Sequence, residues 1–500
     1  MSLLGLDIGT SGCKATIIED TGSLPAQAYQ DYPLISPQSG WQEIDPEQVW
    51  RAAVKVIVQV RQNSRSDAIR AISVSSFGEA VVALDRSGQT LGRSMIYIDC
   101  RGQEEAAYLR SRLDHEQVLG ITGTAVQPMY SLCKIMWLKK NRPEEYRKTW
   151  KYLLFADYIL YRLGAGPYTD YSLAARTLAF DVFKKKWSPE LIDCAGIDAE
   201  KFGTPVQSGT VVGQISGRLA SELCLPSDVL LVAGGHDQAC AALGAGVIHS
   251  NLAVDGMGTT ECITPAFNRP AMSEQMAQNH YACVPHVIPN LYVTYAFTFT
   301  SGSVLKWYRD YWGDSYQAEA TRLGINIYDL MIDRAAKDPG SLFLLPHFAG
   351  AATPYMDQAA QGAIVGLTIN TRPADIIKAI LEGLTYEMMI NVERLALAGI
   401  QIDELLTVGG LARSDAFLQL KATMMGKPVT TLAISEAGTL GVAILAGTAG
   451  GVYKSIEEAV GKLVRRKKTF YPDSRLHEQY QEKFAIYKKM YPAVKSITGG

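Results

Sequence analysis

Short apolar runs broken by glycine-rich turns alternate along this chain with stretches whose apolar residues recur at helical spacing. Leu3-Leu4-Gly5-Leu6 and Ala15-Thr16-Ile17-Ile18 flank a polar turn from Asp7 to Lys14, a pattern that predicts a β-hairpin. Val229-Leu230-Leu231-Val232-Ala233 predicts a buried strand that Gly234-Gly235 turns out of its line. His236-Asp237-Gln238 then stand at the strand's end, before a small-residue helix from Ala239 to Gly246. Asp255-Gly256-Met257-Gly258-Thr259-Thr260 is a Gly/Thr-rich turn between two further strand-like runs. Ala71-Ile72-Ser73-Val74-Ser75 and Val81-Val82-Ala83-Leu84 predict strands on either side of Ser76-Phe77-Gly78-Glu79. Leu405-Leu406-Thr407-Val408 predicts another strand, leading through Gly409-Gly410 to Ser414 at a helix start.

Helical spacing is clearest in Val49, Trp50, Ala53, Val54, Ile57 and Val58, with Asp45 as N-cap and Pro46 as first helical residue. Met129 to Asn141 predicts a second helix with Ser131 near its cap and Lys134, Trp137 and Leu138 on one face. Thr300-Ser301-Gly302-Ser303 opens a third, whose N-terminus suits an anion.

Chemistry enters where acids and hydroxyls meet these turns. An acid after a Gly-Gly turn, such as Asp237, is well placed for proton transfer because little side-chain bulk blocks a ligand. Gly/Thr turns offer N–H groups and hydroxyls to phosphate. Aligning Gly9 with Gly258 sets Thr10 on Thr259, Ser11 on Thr260 and Cys13 on Cys262, while Asp7 falls on Gly256. Two such hairpins half a chain apart imply two similar domains facing one nucleotide, with two unrelated tight turns as the competing reading. Glu79 is a candidate ligand for a hydroxyl or a solvated turn carboxylate. Asp99 with Arg101 is a ligand contact or a local ion pair, and Trp41 stacks on a ligand or anchors its loop.

Composition narrows the classes. At 500 residues, 47% hydrophobic and 20% charged, the chain is that of a two-domain globular protein. A net charge of −2 gives no electrostatic footprint for nucleic acid or an anionic membrane. The eight cysteines form no C-x-x-C pair, and the histidines show no metal-ligand spacing. With no basic leader and no membrane-length apolar run, the expected setting is a reducing cytoplasm.

The motifs, in this order, resemble the FGGY family of carbohydrate kinases, within the group that shares the sugar kinase, actin and Hsp70 fold. Asp7 to Lys14 matches the family's first phosphate loop and Met129 to Asn141 its first signature. Asp237 falls on its catalytic acid and Gly258-Thr259-Thr260 on its second phosphate loop. Gly362 to Glu382 matches its second signature, with Gly366, Asp375, Ala379 and Glu382, and Val408 to Ser414 its adenosine motif. The resemblance implies an α/β protein of two ribonuclease-H-like (actin-like ATPase) domains, 1–246 with the sugar site and 247–500 with the adenosine site, and a nucleotide cleft between them. It implies transfer of the γ-phosphoryl of ATP to a sugar hydroxyl, with Asp237 as base and Asp7 holding Mg2+ through water. Thr10, Ser11, Lys14, Gly258, Thr259, Thr260 and Ser303 would line the phosphates, and Gly409, Gly410 and Ser414 would border adenosine. Trp41, Gly78, Glu79, Asp99, Asp237 and Gln238 would face the sugar.

Xylulokinases of the family usually carry Met-His at Gly78-Glu79 and Asp-Asn at Asp237-Gln238. Its glycerol kinases share the Glu and the Asp-Gln pair but have an Arg at Gly78. Overall layout resembles the xylulokinase branch, so a ketopentose such as xylulose is expected, with glycerol, another polyol or a sugar acid as alternatives. A non-catalytic ATP-binding or sugar-sensing relative is the reading from another class. The expected partner is the small substrate, with neither nucleic acid nor membrane. A homodimer is compatible with the chain.

Overall fold

The computed structural model describes residues 1–64, 68–268, 274–335, 339–433 and 436–499. In the first half, β1 (Ser2–Ile8), β2 (Gly12–Glu19) and β3 (Ala26–Asp31) form an antiparallel meander. Helix α1 (Pro46–Gln62) follows, its Asp45 cap accepting from the Glu47 amide at 2.9 Å. Strand β4 (Ile69–Ser76) then pairs parallel with β1. Helix α2 (Ser131–Asn141), β5 (Val211–Gln214), β6 (Leu230–His236) and α3 (Asp237–Gly244) complete this half, giving a sheet of order β5-β6-β4-β1-β2-β3. Val81–Leu84 lies outside this sheet and pairs with Lys151–Leu154.

The second half repeats the plan. β7 (Leu252–Met257) and β8 (Glu261–Phe267) form a hairpin, and β9 (Ala296–Thr298) pairs with β8. Helices α4 (Gly302–Trp312) and α5 (Pro373–Leu397) precede β10 (Glu404–Gly409), which lies parallel to β7. Helix α6 (Asp415–Met425), β11 (Val429–Leu432), α7 (Ala437–Ala449) and β12 (Arg466–Phe470) follow. The order β9-β8-β7-β10-β11 mirrors β3-β2-β1-β4-β6, each with a hairpin followed by parallel strands. The duplication inferred from the two turns is therefore a duplication of sheets.

The hairpins differ by one residue, and this corrects the alignment of Cys13 with Cys262. Ile8 pairs with Cys13 across the first turn, whereas Met257 pairs with Glu261 across the second. The second loop is one residue shorter, so Cys13 corresponds to Glu261 and Lys14 to Cys262.

The halves meet where α3 crosses α7 at glycine. A Cβ on Gly244 would lie 1.9 Å from the Ala437 carbonyl oxygen, and one on Gly441 1.9 Å from that of Cys240. A Cβ on Gly5 would meet the Thr439 carbonyl oxygen at 2.2 Å. Val442, Ile444 and Leu445 of α7 share one buried core with Leu3 and Val232 of the first sheet and Val254 and Leu406 of the second. Gly441→Ala should accordingly cost about 1–3 kcal/mol of stability, because main chain has no rotamer by which to yield. Gly461→Ala, in the helix Ile456–Leu463 with nothing within 4 Å, should gain up to ~1 kcal/mol. Urea midpoints of the two variants check the contrast.

Candidate active site

Asp237 stands at the junction of β6 and α3, as its first helical residue. The helix starts two residues earlier than the sequence indicated. The glycines before it serve packing rather than ligand access: a Cβ on Gly234 would sit 1.9 Å from the Val74 carbonyl oxygen, and one on Gly235 2.7 Å from Ser172 Oγ. Ser172 Oγ in turn accepts from the His236 amide at 2.8 Å, fixing the chain just before the acid. The Asp237 side chain is 32% exposed, and its Oδ1 accepts from the Gln238 amide at 2.6 Å. Burial of the carboxyl group, then the neighbouring charge of Asp7, push its pKa up to about 7, with Glu79 adding to the rise and the Gln238 N–H and Arg176 opposing it. The sequence alone had offered an ordinary carboxylate. His236, its Nε2 3.5 Å from Asp237 Oδ1, is held well below its usual pKa by burial and by Arg176. It is therefore neutral at neutral pH, with the Tyr295 hydroxyl 3.1 Å from its Nδ1.

Asp7 closes β1 and accepts from Ser75 Oγ of β4 at 2.7 Å. Burial raises its pKa against that hydrogen bond and Lys14. A Cβ on Gly438 would come 3.3 Å from the Asp7 carboxylate carbon, so the start of α7 leans on this acid. Lys14 does not point freely at a phosphate: it pairs with Glu436, just before α7, at 2.8 Å. Ser11, Gly258, Thr259 and Thr260 are exposed at the hairpin tips and Thr10 is partly so.

Gly258 and Thr259 line a cleft of about 710 Å³ together with Ser303, Gly410 and Ser414. Ser303 Oγ donates to the Thr259 carbonyl at 2.9 Å, tying α4 to the second hairpin. Gly409 has φ 102°, and a Cβ there would lie 2.3 Å from the Met257 carbonyl oxygen. Gly410 does not open a helix directly: a short turn, Leu411–Arg413, intervenes, and Ser414 caps α6 by accepting from the Phe417 amide at 3.3 Å. Beneath the cleft, Lys421 of α6 is fully buried between Asp255 and Glu261, one on each strand of the hairpin.

The sugar-side candidates divide. Glu79 adopts φ 65°, its carbonyl accepts from Ser131 Oγ at 2.6 Å, and its carboxylate pairs with Arg176. The Ser131 hydroxyl is thus engaged there rather than capping α2. Gly78 gives Arg176 room, since a Cβ would meet Arg176 Cγ at 2.8 Å and His236 Cδ2 at 3.0 Å. Gln238 is partly exposed beside Asp237. Asp99, expected to face the sugar, has a side chain with no exposed surface: both oxygens take Arg101, at 2.9 and 2.6 Å, and the Gln42 amide adds a third bond at 2.7 Å. Trp41 anchors the same cluster, with the Arg101 guanidinium 3.8 Å over its ring and Trp137 edge-on at 5.4 Å. Lys134 donates to the Asp99 carbonyl at 2.7 Å. The first signature thus braces this loop through Lys134, which donates to the Asp99 and Arg101 carbonyls, and through Trp137 against Trp41. Arg176, Glu436 and Lys421 were not singled out by the sequence because each pairs with a segment remote from it along the chain.

Comparison with known proteins matches residues 2–244 to the N-terminal domain of the FGGY family of carbohydrate kinases and residues 256–450 to its C-terminal domain. The chain belongs to the FGGY family of carbohydrate kinases. As an FGGY kinase it is a phosphotransferase with an alcohol group as acceptor. It is 27% identical to the xylulose kinase of Bacillus subtilis (strain 168) over 99% of this chain and 97% of that protein. It is 28% identical to the gluconokinase of the same organism, over 93% and 91% of the two chains. Among solved structures, the ligand-bound xylulose kinase from Lactobacillus acidophilus superposes with a TM-score of 0.88 at 25% identity, covering 100% of this chain and 99% of that one. These kinases share the two-domain actin-like ATPase fold seen here.

The Asp99 cluster yields a direct test. Arg101 is 3% exposed and keeps Glu43 Oε1 at 2.8 Å when Asp99 is lost. Asp99→Ala should therefore lower unfolding free energy by about 3 kcal/mol, the low end for breaking a buried pair, with the acceptor KM of the folded enzyme unchanged. A raised KM at full stability would make Asp99 a substrate contact instead.

Proposed function

We propose that this kinase transfers the γ-phosphoryl group of ATP to a hydroxyl of a small ketose, xylulose being the best single candidate, with Asp237 as general base. The observation that carries the reading is the position of Asp237: partly open, at a helix start, and electrostatically in touch with Asp7 of one hairpin and Cys262 of the other. A base with a pKa of about 7 is matched to neutral operating pH and to taking a proton from an attacking hydroxyl. Several of the similar proteins and solved structures are xylulose kinases, which favours a ketopentose. The altered Gly78-Glu79 pair keeps glycerol, another polyol or a sugar acid as the second reading, and the gluconokinase likeness adds to it.

The residues present fit the nucleotide and its metal. The cleft of about 710 Å³ has hydroxyls and hairpin backbone at one end and Gly410 with Ser414 further along, a lining suited to phosphates and adenosine. Asp7 is a half-buried acid with its pKa raised by desolvation, so its ionised form would gain from a cation. Among the described residues no group of three or more His, Cys, Asp or Glu is arranged to hold a metal. Mg2+ takes one or two carboxylates beside phosphate oxygens and water, so Asp7 suffices as its protein ligand. Such an ion, when bound, offsets charge on the transferring phosphoryl group.

The protein's own part is positional and protonic. Asp237 accepts a hydrogen bond from the acceptor hydroxyl and then its proton as the oxygen attacks. Thr10, Ser11, Thr259 and Thr260 would hold the phosphates in line from the two hairpins, and closure of the halves would exclude water. The nucleotide is expected between the halves, touching Asp7–Thr10 and Gly409–Gly410; ATP bound wholly within one half would contradict this.

ADP release measured against polyols, ketoses, aldoses and sugar acids tests the activity. Xylulose-dependent release is expected, and no acceptor-dependent release from any class would remove the kinase reading of this site. Asp237→Asn should lower turnover by about 10²–10⁴-fold with ATP affinity little changed, because amide nitrogen cannot take the proton. The base must be unprotonated to act, so kcat/KM should fall about tenfold per pH unit below pH ~7. An ordinary carboxylate would keep full activity down to about pH 5. Near-normal turnover in folded Asp237→Asn would end the base assignment.

A further inference from the structure

Arg176 belongs to a segment about sixty residues before Asp237 in sequence, yet the fold brings it across Gly78 from His236, the neighbour of Asp237. It lies on a short turn, Ala175–Thr177, with its guanidinium 5.1 Å from the Tyr130 ring and 5.8 Å from the Tyr295 ring. Its Nε donates to Glu79 Oε1 at 2.6 Å, and Nη2 reaches the same oxygen. Glu79 is 4% exposed and Arg176 8%. Asp237 and the half-open Tyr97 lie close enough to Glu79 for their charges to interact, which puts pair, base and tyrosine in one corner. Three local features serve this pair: Gly78 clears the arginine stem, Glu79 takes a left-handed backbone, and Ser131 Oγ pins the Glu79 carbonyl.

The geometry points to Arg176, paired with Glu79, as a specificity-determining residue of this kinase that selects a neutral, polyhydroxylated acceptor over a sugar acid. The inference rests on the reading of Asp237 as the base of the sugar pocket. A lone buried arginine would be an anion site, because its charge is costly to leave unmatched. Here Glu79 already matches it. An incoming carboxylate would have to displace Glu79 and also approach Asp237. The groups facing the corner are Glu79, Arg176, Asp237, the neutral His236, the Tyr130 ring and the hydroxyls of Tyr97 and Tyr295, so no positive charge there is left unmatched. A guanidinium–carboxylate pair sets N–H donors beside carboxylate acceptors. A sugar's vicinal hydroxyls, each both donor and acceptor, complement that arrangement.

The test is an acceptor panel of xylulose, glycerol, ribitol and D-gluconate, read as kcat/KM with ATP as donor. The native enzyme should favour a neutral member over gluconate. Glu79→Gln removes the charge that matches Arg176 and should raise the gluconate-to-neutral ratio at least tenfold. Arg176→Leu should lose at least a hundredfold in kcat/KM for the neutral acceptor, chiefly through KM, while the KM for ATP stays put. Arg176→Lys should recover part of that loss. Should the leucine variant fail to fold, Glu79→Gln and Arg176→Lys decide the matter. A native preference for gluconate, or a ratio unmoved by Glu79→Gln, overturns the proposal. Asp237→Asn separates the two readings: if it abolishes turnover on every acceptor while selectivity ignores residues 79 and 176, only this proposal fails. If Asp237→Asn stays active, the reading of the site itself fails.

Discussion

The crossing of α3 and α7 is the constraint on which the rest of this molecule depends. Two helices can touch main chain to main chain only where both lack side chains, and Gly244 and Gly441 supply that contact. The crossing fixes more than the join between the halves. Helix α3 begins with Asp237, and α7 begins beside Gly438, which rests against Asp7. The two acids are therefore held near each other by backbone geometry.

That proximity explains the electrostatics. Desolvation and the neighbouring charges of Asp7 and Glu79 raise the pKa of Asp237 to about 7 instead of its ordinary value. The arrangement is tolerable because cations are supplied where they do not fill the reacting space. Arg176 matches Glu79 from below, Lys14 matches Glu436 at the rim, and Arg101 with Lys134 holds Asp99 outside the site. Lys421 stabilises the second hairpin in the same manner, between Asp255 and Glu261. Buried pairs of this kind are poor sources of net stability but costly to break singly, which makes them stiff supports.

The sequence by itself determined the elements and their duplication. Apolar runs broken by glycine define strands because a buried strand needs nothing beyond its own residues, and the two glycine-rich hairpins were legible for the same local reason. The motif order carried the FGGY family, and Asp237 stood out as a candidate because acid, turn and helix lie within a few residues. What tertiary structure decided is everything that depends on who faces whom. Asp99 looked like a ligand until Arg101, Gln42 and Lys134 were seen closing around it. Lys14, expected at the phosphates, pairs in the fold with Glu436, some four hundred residues away. Cys13 moved off Cys262 because strand register is set by pairing across a turn, which counting along one strand does not fix. The raised pKa of Asp237 and the pairing of Arg176 with Glu79 stayed hidden because burial and charge proximity arise only once remote segments meet, and a linear sequence records neither.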